Sequence, residues 1–133
     1  MLARILVVED NATNLDLVRY LLAHSGYTVL EARDGAQGVL LARRERPDLI
    51  LCDLQMPLLD GYQVLEQLRG AAESSNWVIV ALTAFSMSND RHKVLAAGFD
   101  GYLSKPIEPE LFVSQVEAYL PPALRARQPA ADA

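Results

Sequence analysis

Residues 49–61 read LILCDLQMPLLDG. Four apolar residues, Leu49 to Cys52, end abruptly at Asp53, and a loop marked by Pro57 and Gly61 follows. A short unbroken apolar run bounded by turn residues is the pattern of a strand buried on both faces. The same pattern occurs twice more, as ILVV at 5–8 before Glu9-Asp10 and as VIVAL at 78–82 before Thr83. These runs predict strands over Ala3–Val8, Asp48–Asp53 and Trp77–Thr83, and Thr28–Ala32 and Gly101–Ser104 read as two shorter ones. Longer segments separate them. Leu15, Val18, Leu21 and Leu22 recur at helical spacing within Asn11–Ser25, and Gly26 supplies a stop. Helices are also predicted over Asp34–Arg46, from Asp60 to about Arg69, and over Ser86–Ala97 before Gly98. Asp34 with Gln37, and Asp60 with Gln63, have capping-box spacing. Pro109 opens a last helix that carries Leu111, Phe112, Val116 and Tyr119.

Five strands alternating with five helices predict an α/β fold. A doubly wound, five-stranded parallel sheet would carry helices on both faces. The flavodoxin-like order 2-1-3-4-5 follows, with strands one and three adjacent and the site at their carboxyl ends. The 133 residues are 51% hydrophobic and 22% charged, enough for one core and too apolar for disorder. A single domain over 1–120 is followed by PPALRARQPAADA, whose Pro/Ala bias predicts a mobile tail over 121–133. The net charge of −5 argues against binding nucleic acid or an anionic membrane. One cysteine, Cys52, excludes an internal disulfide and a multi-cysteine zinc site, and reads as a small buried residue. MLARILVVED is too short to span a bilayer and has no small-residue cleavage pattern, so a cytoplasmic setting is expected.

The strand ends carry the chemistry. Glu9, Asp10 and Asp53 follow apolar runs whose strands lie about 4.8 Å apart. At ~5 Å and an effective dielectric of about 20, each like-charge pair costs roughly 3 kcal/mol before solvent screening. A hard dication relieves that cost, and Mg²⁺ suits one or two carboxylates with waters and phosphate oxygens. Strict alternation aims Glu9 away from Asp10, so its part depends on how the chain turns. Thr83 ends the fourth strand with a hydroxyl donor, and Ser104-Lys105-Pro106 ends the fifth with a flexible point charge. A nucleophilic carboxylate, a metal platform, a hydroxyl and a cation are together the parts needed to accept a phosphoryl group.

VVEDN, LILCDLQMPLLDG, ALTA and GYLSKP, in this order over about residues 3–120, resemble the receiver domain of two-component response regulators. Within that family the chain is most like single-domain regulators of the DivK kind. The resemblance implies that Asp53 is the phosphoacceptor and that Asp10, Glu9, Asp53 and the backbone carbonyl of Gln55 hold Mg²⁺. It further implies that Thr83 is the switch hydroxyl, Tyr102 the aromatic switch and Lys105 the phosphate-binding cation, with a cis Lys105-Pro106 bond. The donor would be a histidine kinase or a histidine phosphotransfer protein. A downstream protein would bind through the fourth helix, fifth strand and fifth helix. Such a protein is a phosphoacceptor, catalysing at most its own phosphorylation and a slow autodephosphorylation. The rival is an Mg²⁺-dependent phosphatase with an aspartyl nucleophile. That chemistry usually needs an acid two residues after the nucleophile, where this chain has Gln55.

Gln55 and Phe85 lie two residues beyond Asp53 and Thr83, and the bulk of Phe85 predicts a long-lived phosphoryl group. His24 and His92 lack metal-ligand spacing and read as solvated helix residues. Met56-Pro57 shapes the loop after Asp53. The charged stretch Asn89–Lys93 reads as a solvated face bordering the output surface. No Gly-rich phosphate loop is present.

Overall fold

The computed structural model describes residues 2–70, 77–84 and 88–126. The expected loop over 71–76, Phe85, the start of the fourth helix at Ser86, the side chains of Asn89 and Asp90, and the tail beyond 126 lie outside the described residues. The strands are β1 (Arg4–Val8), β2 (Thr28–Ala32), β3 (Leu49–Asp53), β4 (Ile79–Thr83) and β5 (Gly101–Ser104). Alternating with them are α1 (Ala12–His24), α2 (Gly35–Glu45), α3 (Gly61–Arg69), α4 (Ser88–Ala97) and α5 (Pro109–Glu117). All pairings are parallel and the order is β2-β1-β3-β4-β5, as the alternation of patterns predicts.

Side-chain alternation along the strands builds two cores. Ile5, Val7, Leu49, Leu51, Val80 and Leu82 face α1 and α5, where Leu15, Val18, Leu22, Phe112 and Val116 meet them. Leu6, Val8, Ile50, Cys52, Ile79 and Ala81 face the other way, against Val39 and Ala42 of α2, Val64, Leu65 and Leu68 of α3, and Val94 of α4. Cys52 is fully buried. Burial on both faces explains why these strands read as unbroken apolar runs.

Several boundaries move for identifiable reasons. Trp77 and Val78 precede β4; the Trp77 carbonyl accepts from Arg69 Nη1 at 2.8 Å and so is spent outside the ladder, while the Val78 carbonyl accepts from the Ile50 N–H at 2.9 Å. Ala3 lies before β1, its N–H donating to the Leu124 carbonyl at 3.0 Å. At α3 the capping box is complete: the Gln63 N–H donates to Asp60 and the Asp60 N–H donates to Gln63. At α2 it is only half formed. Asp34 accepts from the Gln37 N–H, but the Gln37 side chain accepts from Arg33 N–H. Leu111, expected on the buried stripe of α5, is exposed, and the stripe is Phe112, Val113, Val116 and Glu117.

The presence of Glu117 on that stripe is explained by α1's far end. Tyr27 Oη donates to Glu117 Oε2 and accepts from the Ala126 N–H at 2.7 Å, and both side chains are buried. Burial, reinforced by Glu117, pushes the Tyr27 hydroxyl up to about 12, so it keeps the proton it donates throughout the neutral range. Residues 121–126, expected within a mobile tail, therefore form a docked segment with a single 3₁₀ turn at Pro122–Leu124. Tyr27→Phe strips the partner from a buried carboxyl and from a backbone N–H. It should lower the unfolding free energy by about 2 kcal/mol, read from urea denaturation.

Candidate functional site

Five strands running the same way bring their carboxyl ends to one rim. β1 and β3 are direct neighbours with Val8 opposite Cys52, so Glu9 and Asp53 emerge side by side. Both continue the alternation toward the α1/α5 face, as does Lys105 beyond Leu103 of β5. Glu9 is fully buried and Asp53 is 4% exposed. Lys105 lies between them, with Nζ 2.9 Å from Glu9 Oε1 and 3.0 Å from Asp53 Oδ2. The Lys105-Pro106 bond is cis, and the Lys105 N–H donates to the Thr83 carbonyl at 2.7 Å.

Asp10 follows on the bend between β1 and α1 and is exposed. One ligand oxygen each from Glu9, Asp10 and Asp53 lie within 4.8 Å of one another. The bend resolves the problem posed by alternation: Glu9 points inward along the strand direction, and Asp10 reaches the same space from outside. α1 begins immediately afterwards, with Asn11 capping it through the Asn14 N–H, while the Asn11 N–H donates to Glu9 Oε2 at 3.3 Å.

The β3–α3 loop is shaped by close approach. Gln55 N–H donates to Asp53 Oδ1 at 3.2 Å, and Gln55 itself is exposed. The Gly61 N–H returns to the Leu54 carbonyl at 3.1 Å. A Cβ on Gly61 would stand 2.6 Å from the Asp53 carbonyl oxygen, a contact that backbone cannot yield to. That is the physical need for glycine eight residues after Asp53. Met56 is buried beneath this loop. Thr83, 6% exposed, shares the opposite face of the sheet with Tyr102, which pairs with its strand neighbour Ala81. A cleft of about 360 Å³ opens there, lined by Leu54, Gln55, Asp60, Tyr62, Thr83, Ala84 and Lys93. His24 and His92 are exposed on α1 and α4, with His24 stacked on Tyr20.

Electrostatics sets the state of the acids. Burial raises the Glu9 carboxyl to about 7, and its hydrogen bond to Asp53 adds to the rise while Lys105 opposes it. Burial alone would lower Lys105, but Glu9 and Asp53 outweigh it and hold the ammonium above its ordinary value. Glu9 Oε1 has the Lys105 ammonium as its ion-pair partner and no further hydrogen bond among the described residues. Three carboxylates converging here, against the single Lys105 ammonium, fit a hard, oxygen-seeking cation. Among the described residues no helix is long and apolar enough to cross a membrane.

Comparison with known proteins agrees with this geometry. Residues 5–117 match the model of the response regulator receiver domain. The chain is 38% identical over 116 residues to the polar-differentiation response regulator DivK of Brucella anthropi, covering 87% of this chain and 94% of that one. Its fold is similar to the chemotaxis response regulator CheY4 of Vibrio cholerae, with a TM-score of 0.85 and 28% identity, over 90% of this chain and 100% of that one. It also resembles the receiver domain of the Pseudomonas aeruginosa sensor histidine kinase PA1611, solved with a magnesium ion coordinated in its active-site cleft. There the TM-score is 0.80 and the identity 35%, over 90% of this chain and 98% of that one. Sheet order, rim and sequence thus lead to one family of phosphorylation-dependent signalling proteins, in which a histidine kinase donor and a downstream partner are the general rule. The chain belongs to the response regulator receiver domains of two-component signalling.

Proposed function

We propose that Asp53 accepts a phosphoryl group from the phosphohistidine of a kinase or phosphotransfer protein, and that the added charge resets an output face. The observation that carries this reading is Lys105 held within 3.0 Å of both Asp53 and Glu9, on a rim that Asp10 shares. Attack by an Asp53 carboxylate oxygen forms an O–P bond as the P–N bond breaks. The electron pair of that bond stays on the donor imidazole, which takes up a proton. Lys105 is placed to leave its two carboxylates for the oxygens of the arriving group, compensating charge where it develops. The Gln55 N–H, already on Asp53 Oδ1, remains a donor at the same place. Glu9, Asp10, Asp53 and the Gln55 carbonyl would hold Mg²⁺, which supplies a second positive charge against the phosphoryl oxygens. No side-chain acid stands at position 55 to activate water, which favours a switch with at most slow self-dephosphorylation over a phosphatase.

Output follows from the shared face of Thr83 and Tyr102. A phosphoryl group of about two negative charges draws the Thr83 hydroxyl toward it, and the Tyr102 ring takes the space released. The surface of α4, β5 and α5 changes with it and is the face offered to a downstream protein. Phosphotransfer screening against histidine kinases, with and without Mg²⁺, tests the reading directly. Labelling that ignores Mg²⁺ would count against the metal site.

The proton on Glu9 gives the site a pH signature. Its carboxyl is raised from 4.5 to about 7, so the folded protein binds more protons than the unfolded chain in that window. Metal-free stability through this group therefore falls as pH rises from about 4.5 to 7. A metal must displace the same proton. Mg²⁺ affinity should rise by up to about tenfold per pH unit as pH climbs toward about 7 and level off above it. Thermal unfolding measured against Mg²⁺ concentration at several pH values checks this, and Glu9→Gln should flatten the profile.

A further inference from the structure

Among Arg91–Ala97 of α4, only Val94 is buried. Two cation–ring contacts flank that anchor. The Arg91 guanidinium carbon lies 5.6 Å from the centroid of Tyr102 on β5, and Lys93 Nζ lies 5.3 Å from that of Tyr62 on α3. Helical geometry puts Arg91 and Lys93 about 200° apart, so they grip the body on either side of Val94. The stretch that reads in the sequence as a solvated charged face thus contributes the helix's lateral fastenings.

The Arg91 contact falls on the residue that the proposed switch must move. Tyr102 is half-buried, with its ring packed against the core that includes Ala81, Val94 and Phe99. In the same structure Lys105 is paired directly to the Asp53 carboxylate, with no phosphoryl group between them, and we take the ring position seen here as the resting one. We infer that Arg91 is a positioning residue of the switch: by stacking its cation over Tyr102 it holds the ring in the resting position and lowers the population already switched before phosphorylation. The inference rests on the Tyr102 reading above. A cation over an aromatic face at an exposed site is worth about a two- to five-fold bias in such an equilibrium. A bias against one state weakens, by the same factor, any ligand that selects that state.

Arg91→Met keeps the length of the side chain and removes the charge. Beryllofluoride with Mg²⁺ serves as the phosphoryl mimic, and ¹⁹F NMR of 3-fluorotyrosine-labelled protein reports Tyr102, assigned by its loss in Tyr102→Leu. The inference expects Arg91→Met to bind the mimic about two- to five-fold more tightly. The free-state Tyr102 signal should move toward its bound position, and Arg91→Lys should fall between. Loss of a cation near an anion site would by itself weaken binding, so the sign separates the two effects. In a Tyr102→Leu background the gain should vanish. Unchanged or weaker affinity in Arg91→Met, or a gain that persists without Tyr102, overturns the role of Arg91 while a Tyr102 signal that still moves leaves the switch standing. A Tyr102 signal that stays put when the mimic binds overturns the switch itself, and the inference with it.

Discussion

Asp53→Asn is expected to abolish phosphoryl incorporation while the fold survives. The amide is nearly the same size as the carboxylate and can still accept the Gln55 N–H that meets Oδ1 at 3.2 Å. What it lacks is the nucleophilic charge. Lys105 loses one of its two anionic partners but keeps Glu9, 2.9 Å away, so no buried ammonium is left unpaired. The loss should therefore appear in chemistry and not in stability. Wild-type protein should take up close to one phosphoryl group per chain from a competent donor, and the variant less than about a thousandth of that rate. Radiolabel incorporation with intact cooperative unfolding checks both halves. Stoichiometric label on another residue of the variant would refute the assignment of Asp53.

Lys105→Ala should be nearly as damaging, for a different reason. The lysine pairs with two acids in the site, and in the proposed transfer it stands where charge develops. Its removal leaves the buried Glu9 beside Asp53 with no cation, and leaves the transition state short of one preorganised charge. Loss of one such group costs about 10²- to 10³-fold in rate. Phosphorylation by a small acyl phosphate at saturating Mg²⁺ measures this without a kinase interface. Lys105→Arg should recover little, because a planar fork cannot replace a compact ammonium between two oxygens. A rate for Lys105→Ala within threefold of wild type would remove Lys105 from the mechanism.

The features legible in the sequence share one cause. Burial on both faces makes ILVV, LILC and VIVAL unbroken, and one acid or hydroxyl marks where each emerges at the rim. Sheet order then follows from connection rules, and the neighbours of Asp53 follow from sheet order. What escaped depends on contacts between residues remote in sequence. Glu117 joins the buried stripe of α5 because Tyr27, 90 positions away, gives it a donor. Ala3 leaves β1 because Leu124 claims its N–H, and Trp77 lies outside β4 with its carbonyl taken by Arg69. The half-formed box at α2 shows the limit of local spacing too, since Gln37 at the right interval finds Arg33 instead. Glu9 is the instructive case at the site. Alternation correctly turns it from Asp10, but only the bend after β1 decides that both carboxyls share one small space. The cation–ring contacts of α4 left no periodic trace, because Arg91 and Lys93 lie on an exposed helix whose polarity suggests water as their neighbour.

The docking of the Pro122–Leu124 turn against Ala3 bears on how such a protein can be watched at work. Both backbone segments meet at the pole where β1 starts, a full strand length from Asp53. Dyes attached beside these two segments would report a short separation set by that contact, an internal ruler against which a third fluorophore on α4 can be calibrated.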